Sequence, residues 1–232
     1  MSRHAYVKIA TLLAVTALLG LPAAGWASDG GASADAPAPS GGTGSPNGIT
    51  LSAGRSTLVH RTVTVRGSVP KGSGDQVVLV ERSDRRAGWV QIGRVRPAHN
   101  GTFSARWRSS RAGRVRFRAR FESAARSASR ADKAPEVKVT VYQPARATWY
   151  GPGFYGHRTA CGIRLTRRTL GVAHRKLRCG TKVDLYYRGR TIRVPVIDRG
   201  PYANGADWDV TGAAAARLHM RSTATIGTLV SR

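Results

Sequence analysis

Side chains able to do chemistry are concentrated in the last third of the chain: Cys161, His174, Cys179 and the carboxylates Asp184, Asp198, Asp207 and Asp209. Asp198 stands out by position. It follows the alternating run Ile192, Val194 and Val196 and directly precedes Arg199-Gly200-Pro201. A strand broken by a Gly-Pro turn presents its last side chain rather than packing it. A carboxyl group acting as general acid at neutral pH needs a raised pKa, which burial supplies and a neighbouring cation removes. Arg199 is adjacent, but strand alternation points the two side chains apart. Anchoring the turn is the alternative role for Asp198. Asp184 falls mid-strand beside Lys182 and Tyr186, on an expected solvated face. Asp207 or Asp209 could supply a second carboxylate, and Asp209 could equally bond backbone near the start of a helix. Two cysteines exclude a four-cysteine zinc site. They leave open a disulfide, a Cys–His nucleophile using His174, or a metal site that includes His157.

These groups need strands to hold them. Val183, Leu185 and Tyr187 alternate with Lys182, Asp184 and Tyr186, and Arg188-Gly189 turns the chain into Ile192. Thr181 to Ile197 therefore reads as a hairpin. Thr211 can cap a short helix through Ala213 to Leu218, and Thr225 to Val230 fits a last strand. Upstream, residues 49–142 read as about seven short strands separated by turns such as Gly72 to Asp75 and Asn100-Gly101. Val115, Phe117, Ala119 and Phe121 alternate with Arg114, Arg116, Arg118 and Arg120, giving one apolar and one cationic face. The strand spacing fits an Ig-like β-sandwich. The glutamates Glu81, Glu122 and Glu136 are expected to be solvated, and the arginine face to be either solvated or laid against an anionic polymer.

The chain has 232 residues with 38 Lys or Arg against 12 Asp or Glu, a formal charge of +26. Such an excess calls for an anionic partner. At the amino end, Arg3, His4 and Lys8 precede an uncharged run from Ile9 to Leu21, then small residues to Ala27. This is the pattern of a secretory signal over residues 1–27. Residues 28–48 hold no Val, Leu, Ile or aromatic side chain before Gly48 and read as a flexible linker. Export argues against nucleic acid and for an envelope polyanion, with a secreted or wall-associated location, no stable membrane span after cleavage, and a monomer. In that compartment Cys161 and Cys179, 18 positions apart in one module, are expected to form a disulfide rather than a nucleophile or metal site.

Motifs in residues 145–232 resemble rare lipoprotein A (RlpA)-like domains. They are Ala147-Thr148-Trp149-Tyr150-Gly151, Arg158-Thr159-Ala160-Cys161-Gly162, Val172-Ala173-His174-Arg175, Leu177 to Thr181, Val196 to Tyr202 and Asp209-Val210-Thr211. The resemblance implies a six-stranded double-psi β-barrel, so the fold class is all-β, an Ig-like sandwich followed by that barrel. It implies action on peptidoglycan glycan strands without cofactor or metal, as a lytic transglycosylase or as an expansin-like binding module. It places His174 in the groove; the strand-end position makes Asp198 the candidate catalytic group, and Trp149, Tyr150, Tyr202 and Asp209 are expected toward the saccharide. A lytic transglycosylase needs one carboxyl group. It protonates the leaving oxygen, then takes the proton of the sugar's own 6-hydroxyl. Where relatives of this pattern often carry an acidic residue after the Ala-Cys-Gly stretch, this chain has Ile163.

Overall fold

A computed structural model describes residues 43–44, 47–126, 134–202 and 205–231. The expected signal sequence and most of the expected linker lie outside the described residues. The elements run β1 (Thr43–Gly44), β2 (Thr50–Ser52), β3 (Ser56–Leu58), β4 (Thr62–Ser68), β5 (Val78–Asp84), β6 (Gly88–Val95), β7 (Thr102–Arg108) and β8 (Gly113–Phe121). There follow α1 (Glu122–Arg126), β9 (Glu136–Tyr150), β10 (Val172–Ala173), β11 (Lys182–Tyr187), β12 (Arg190–Asp198), β13 (Trp208–Thr211), α2 (Gly212–Leu218) and β14 (Ala224–Val230).

The first half is two sheets enclosing one core. One sheet runs β1-β2-β4-β7; the other is built from β6, β5, β8 and the first part of β9, with β3 beside β9. Alternating residues of both point inward, so Leu51, Val63, Val65 and Phe103 meet Val78, Val80, Phe117 and Val139. The alternation read in residues 115–121 is therefore real, with Phe117, Ala119 and Phe121 buried.

The arginines on the opposite face are not solvated in the way expected. Glu81 is 5% exposed and accepts from both Arg118 and Arg120. Glu136 pairs with Arg116 and Glu122 with Arg94. Asp184, expected on a solvated face, is 8% exposed and held by Arg114 and Arg193. A buried carboxylate is tolerated only when paired, and this chain pairs them with its abundant guanidinium groups. The helix α1 carried no recognised sequence signal.

The second half is a closed barrel. Its strands pair in the ring β9-β13-β10-β12-β11-β14-β9, around Val172, Val183, Leu185, Val194, Val196 and Val210. Six strands, one helix and this closure are the double-psi barrel expected. The hairpin β11–β12 turns at Arg188-Gly189, both with positive φ (45° and 80°). Thr211 caps α2, its hydroxyl accepting from the Ala214 N–H at 3.3 Å. The strand β9 passes without interruption from sandwich to barrel, pairing with β8 through Val141 and with β14 from Gln143. The expected boundary between 142 and 145 thus falls inside one strand.

Candidate active site

Four neighbouring strands place one residue each in a row. Across β9, β13, β10 and β12, Thr148 pairs with Asp209, Asp209 with Ala173, and Ala173 with Asp198. Paired residues on adjacent strands share a face, with backbones about 4.8 Å apart. The two carboxylates are therefore separated by a single small side chain, about 10 Å between their backbones. All four residues line a groove of about 780 Å³. Trp149 (39% exposed), Phe154 (58%) and Tyr202 (78%) stand along it. Exposed aromatic faces beside a carboxylate pair suit the C–H faces of a sugar ring.

Asp198 is seated by main-chain amides. Its Oδ1 accepts from the N–H of Ala160 at 2.9 Å and of Arg199 at 2.8 Å, and Oδ2 carries neither of these bonds. The Ala160 amide comes from a loop tied down by the Cys161–Cys179 disulfide, in agreement with the expected pairing. The Cys161 N–H also reaches the Ile197 carbonyl, at 3.3 Å. Arg199 does not quench the carboxylate with its side chain, because its guanidinium donates instead to the Leu177 carbonyl at 2.9 Å.

Asp209 has a different setting. Its Oδ1 accepts from the Thr148 hydroxyl at 2.9 Å. Burial raises its pKa above the ordinary carboxylate value, the Thr148 bond works against that, and the charge of Asp198 adds to it. Tyr150 lies alongside. Burial, followed by the Asp198 and Asp209 charges, pushes its phenol up, so it keeps its proton. Its hydroxyl is buried and faces Asp198 outside good hydrogen-bond geometry. A Cβ at Gly151 would sit 2.3 Å from the Tyr155 hydroxyl, so a larger residue there would displace the Tyr155 ring.

The groove thus gathers Asp198, Asp209, Trp149, Tyr150 and Tyr202. His174 is placed otherwise. Its backbone N–H donates to the Asp198 carbonyl at 3.2 Å, but its side chain is not on the groove wall. Its Nδ1 accepts from the N–H groups of Lys176 (3.1 Å) and Leu177 (3.0 Å), and its ring lies 4.4 Å from that of Trp208. Burial, then the Arg175 and Arg199 charges, lower its pKa, which keeps the ring neutral and Nδ1 free to accept. Asp207 serves the backbone, accepting from the Arg146 N–H at 3.0 Å. Two contributors were given no role by sequence reading. Thr148 lies inside the Ala147–Gly151 motif but nothing in its residue type marks it as a partner of Asp209, whereas Phe154 inside the glycine-rich Gly151–Gly156 stretch could have been noticed as an aromatic that no strand pattern buries. Among the described residues no group of three or more His, Cys, Asp or Glu is placed to hold a metal ion.

A double-psi β-barrel family model, described as "Lytic transglycolase", matches residues 142–229. The probable endolytic peptidoglycan transglycosylase RlpA of Aquifex aeolicus is 41% identical over 85 residues, which cover 36% of this chain and 38% of that protein. The endolytic peptidoglycan transglycosylase RlpA of Campylobacter jejuni is 37% identical over 81 residues, covering 34% of this chain and 30% of that protein. The chain therefore spans about a third of the length of these curated relatives. Among solved structures, Streptomyces papain inhibitor is 28% identical with a TM-score of 0.33, over 38% of this chain and 93% of the inhibitor. With the six-strand closure and the motif row carrying Asp198 and Asp209, the matched segment, residues 142–229, is an RlpA-like double-psi β-barrel domain.

Proposed function

We propose that this groove cleaves peptidoglycan glycan strands as a lytic transglycosylase, in an exported, wall-associated protein, with Asp198 as acid and then base. The observation that carries the reading is the carboxylate row: Asp198 and Asp209 on either side of Ala173, on the floor of an aromatic-edged groove. With Oδ1 fixed by two amides, protonated Asp198 donates to the glycosidic oxygen through its other oxygen. The C1–O bond breaks and the leaving sugar departs with a free hydroxyl. The same carboxylate then takes the proton of the C6 hydroxyl as that oxygen bonds to C1, giving a 1,6-anhydro end and restoring the acid. No water is consumed. The Tyr150 phenol, kept protonated by burial and by the Asp198 and Asp209 charges, is a proton donor beside Asp198. The upstream sandwich, which we read as an Ig-like spacer, holds the barrel through the continuous strand β9.

A second reading is glycan binding without cleavage. It draws on the two amides committed to Asp198 and on Ile163, 44% exposed, at a position often acidic in the RlpA-like pattern. The deciding experiment incubates purified glycan strands with the protein and with Asp198→Asn, followed by mass spectrometry. New 1,6-anhydro ends made by the unaltered protein alone support the lytic reading. Retention on intact walls without new ends supports the second.

A further inference from the structure

The four-stranded sheet of the sandwich has an outward face that the groove chemistry does not use. Val63, Val65, Phe103 and Ala105 point into the core, so alternation turns their neighbours on β4 and β7 outward. There Thr62 lies opposite Arg108, Thr64 opposite Arg106, and Arg66 opposite Ser104, with Ser52 of β2 flanking Arg66 on its other side. The face is made of guanidinium and hydroxyl groups. No Asp or Glu occurs between Asp35 and Asp75, or between Asp84 and Glu122, so none of the four strands supplies an acid. Arg114, Arg116, Arg118 and Arg120 on β8 are all matched to carboxylates. By contrast, among the described residues Arg61, Arg66, Arg96 and Arg106 enter none of the ion pairs that take up the chain's Glu81, Asp84, Glu122, Glu136 and Asp184.

The surface is also shaped. A concavity of about 360 Å³ is lined by Arg61, Thr62, Thr64 and Arg66. A second, of about 620 Å³, is lined by Arg66, Arg96, Thr102 and Ser104. The two share Arg66, so a path crosses the sheet with a guanidinium group at its start, middle and end and hydroxyls between them. Guanidinium forks match phosphate oxygens, and Ser and Thr hydroxyls match the alcohols of a polyol. Sites for single-stranded nucleic acid add aromatic platforms on which bases stack. Here Trp107 of β7 packs edge-on against Phe117 of the core, and Tyr186, at one end of the path, is already stacked on Tyr142.

We infer that the outward face of this sheet, centred on Arg66, is a binding site for a linear phosphodiester-linked polyol. It retains the protein on a polyanion independently of the groove. The test titrates the full-length protein with poly(glycerol phosphate) of defined length at physiological salt. Arg61→Gln, Arg66→Gln and Arg106→Gln together are expected to weaken binding about tenfold or more. A charge-matched set at other exposed positions, Arg85→Gln, Arg86→Gln and Arg190→Gln, is expected to stay within twofold. Equal loss from both sets would reduce the effect to net charge and overturn the site, as would no loss from the first set; unchanged thermal melting shows that both sets fold. Phosphatidylglycerol vesicles carry the same glycerol phosphate unit. Binding per phosphate equal to that of the polymer assigns the ligand to a lipid headgroup, and weaker binding assigns it to the polymer. Single-stranded DNA with the same number of phosphates is expected to bind about tenfold more weakly, and equal or tighter DNA binding overturns the polyol assignment.

Discussion

The sandwich and the barrel groove use the same side-chain type in opposite ways. In the sandwich, Glu81 is buried, which alone would raise its pKa, yet hydrogen bonds and charge from Arg120 and Arg118 bring it below its ordinary value. At the junction with the barrel, Asp184 is likewise raised by burial and lowered further by Arg193 and Arg114. In the groove, among the described residues, neither Asp198 nor Asp209 enters an ion pair with a guanidinium group. Arg199, next to Asp198, donates to the Leu177 carbonyl, and Arg175 donates to that of Ala206. A chain carrying +26 leaves both groove carboxylates outside its ion pairs while these arginines take backbone acceptors. The comparison teaches that pairing makes a carboxylate structural, while seating it on amides or hydroxyls leaves it available for proton transfer.

The largest effect expected is on chemistry. Asp198→Asn should lower the yield of 1,6-anhydro ends by about 100-fold or more with little change in thermal melting, because an amide oxygen can still accept from Ala160 and Arg199. A large melting drop with activity retained would place Asp198 with Glu81 and erase the contrast. Next comes the disulfide, which ties the loop that supplies one of those amides. Replacing Cys161 and Cys179 by Ser should cost about 3 kcal/mol by the loop-entropy estimate, measured by denaturant unfolding, with activity falling alongside.

Glu81→Gln should destabilise by about 3 kcal/mol at neutral pH, since two guanidinium groups lose their partner. Glu81 has its folded pKa below the ordinary glutamate value of 4.5. Its stabilisation is therefore present above that value and is lost as pH falls through the folded pKa. The variant should accordingly show a weaker acid dependence of melting. Asp209 has the opposite sign. Its folded pKa lies above 3.8, so stability falls as pH rises from that value through the folded pKa. Asp209→Asn should raise melting at neutral pH by about 2 °C and leave it unchanged in strong acid. A fall at neutral pH would show that the groove carboxylates are held like those of the sandwich.

Much of the barrel was legible because its signals are local. The Arg188-Gly189 turn, the Thr211 cap and the alternation through Val183 and Val194 each lie within a few residues, and Trp149, Tyr202 and Asp198 sit in short recognisable runs. Asp184 and Glu81 were misread for the same reason. Alternation says which face a side chain occupies, but not that another strand brings arginines against that face. His174 shares its motif with groove residues, yet its ring turns to the amides of Lys176 and Leu177, a choice made by loop conformation.

The sequence by itself determined the β-strand periodicity, the cationic excess, the paired cysteines and the end-of-strand position of Asp198, since these depend on residue type and short-range order. Tertiary structure alone decided which carboxylates find arginines and which do not. Only barrel closure sets Asp209 beside Ala173 and Asp198, and only sheet pairing matches Glu81 to Arg118 and Arg120. The strength of a charge–charge interaction depends on distance and burial, and both are properties of the folded chain.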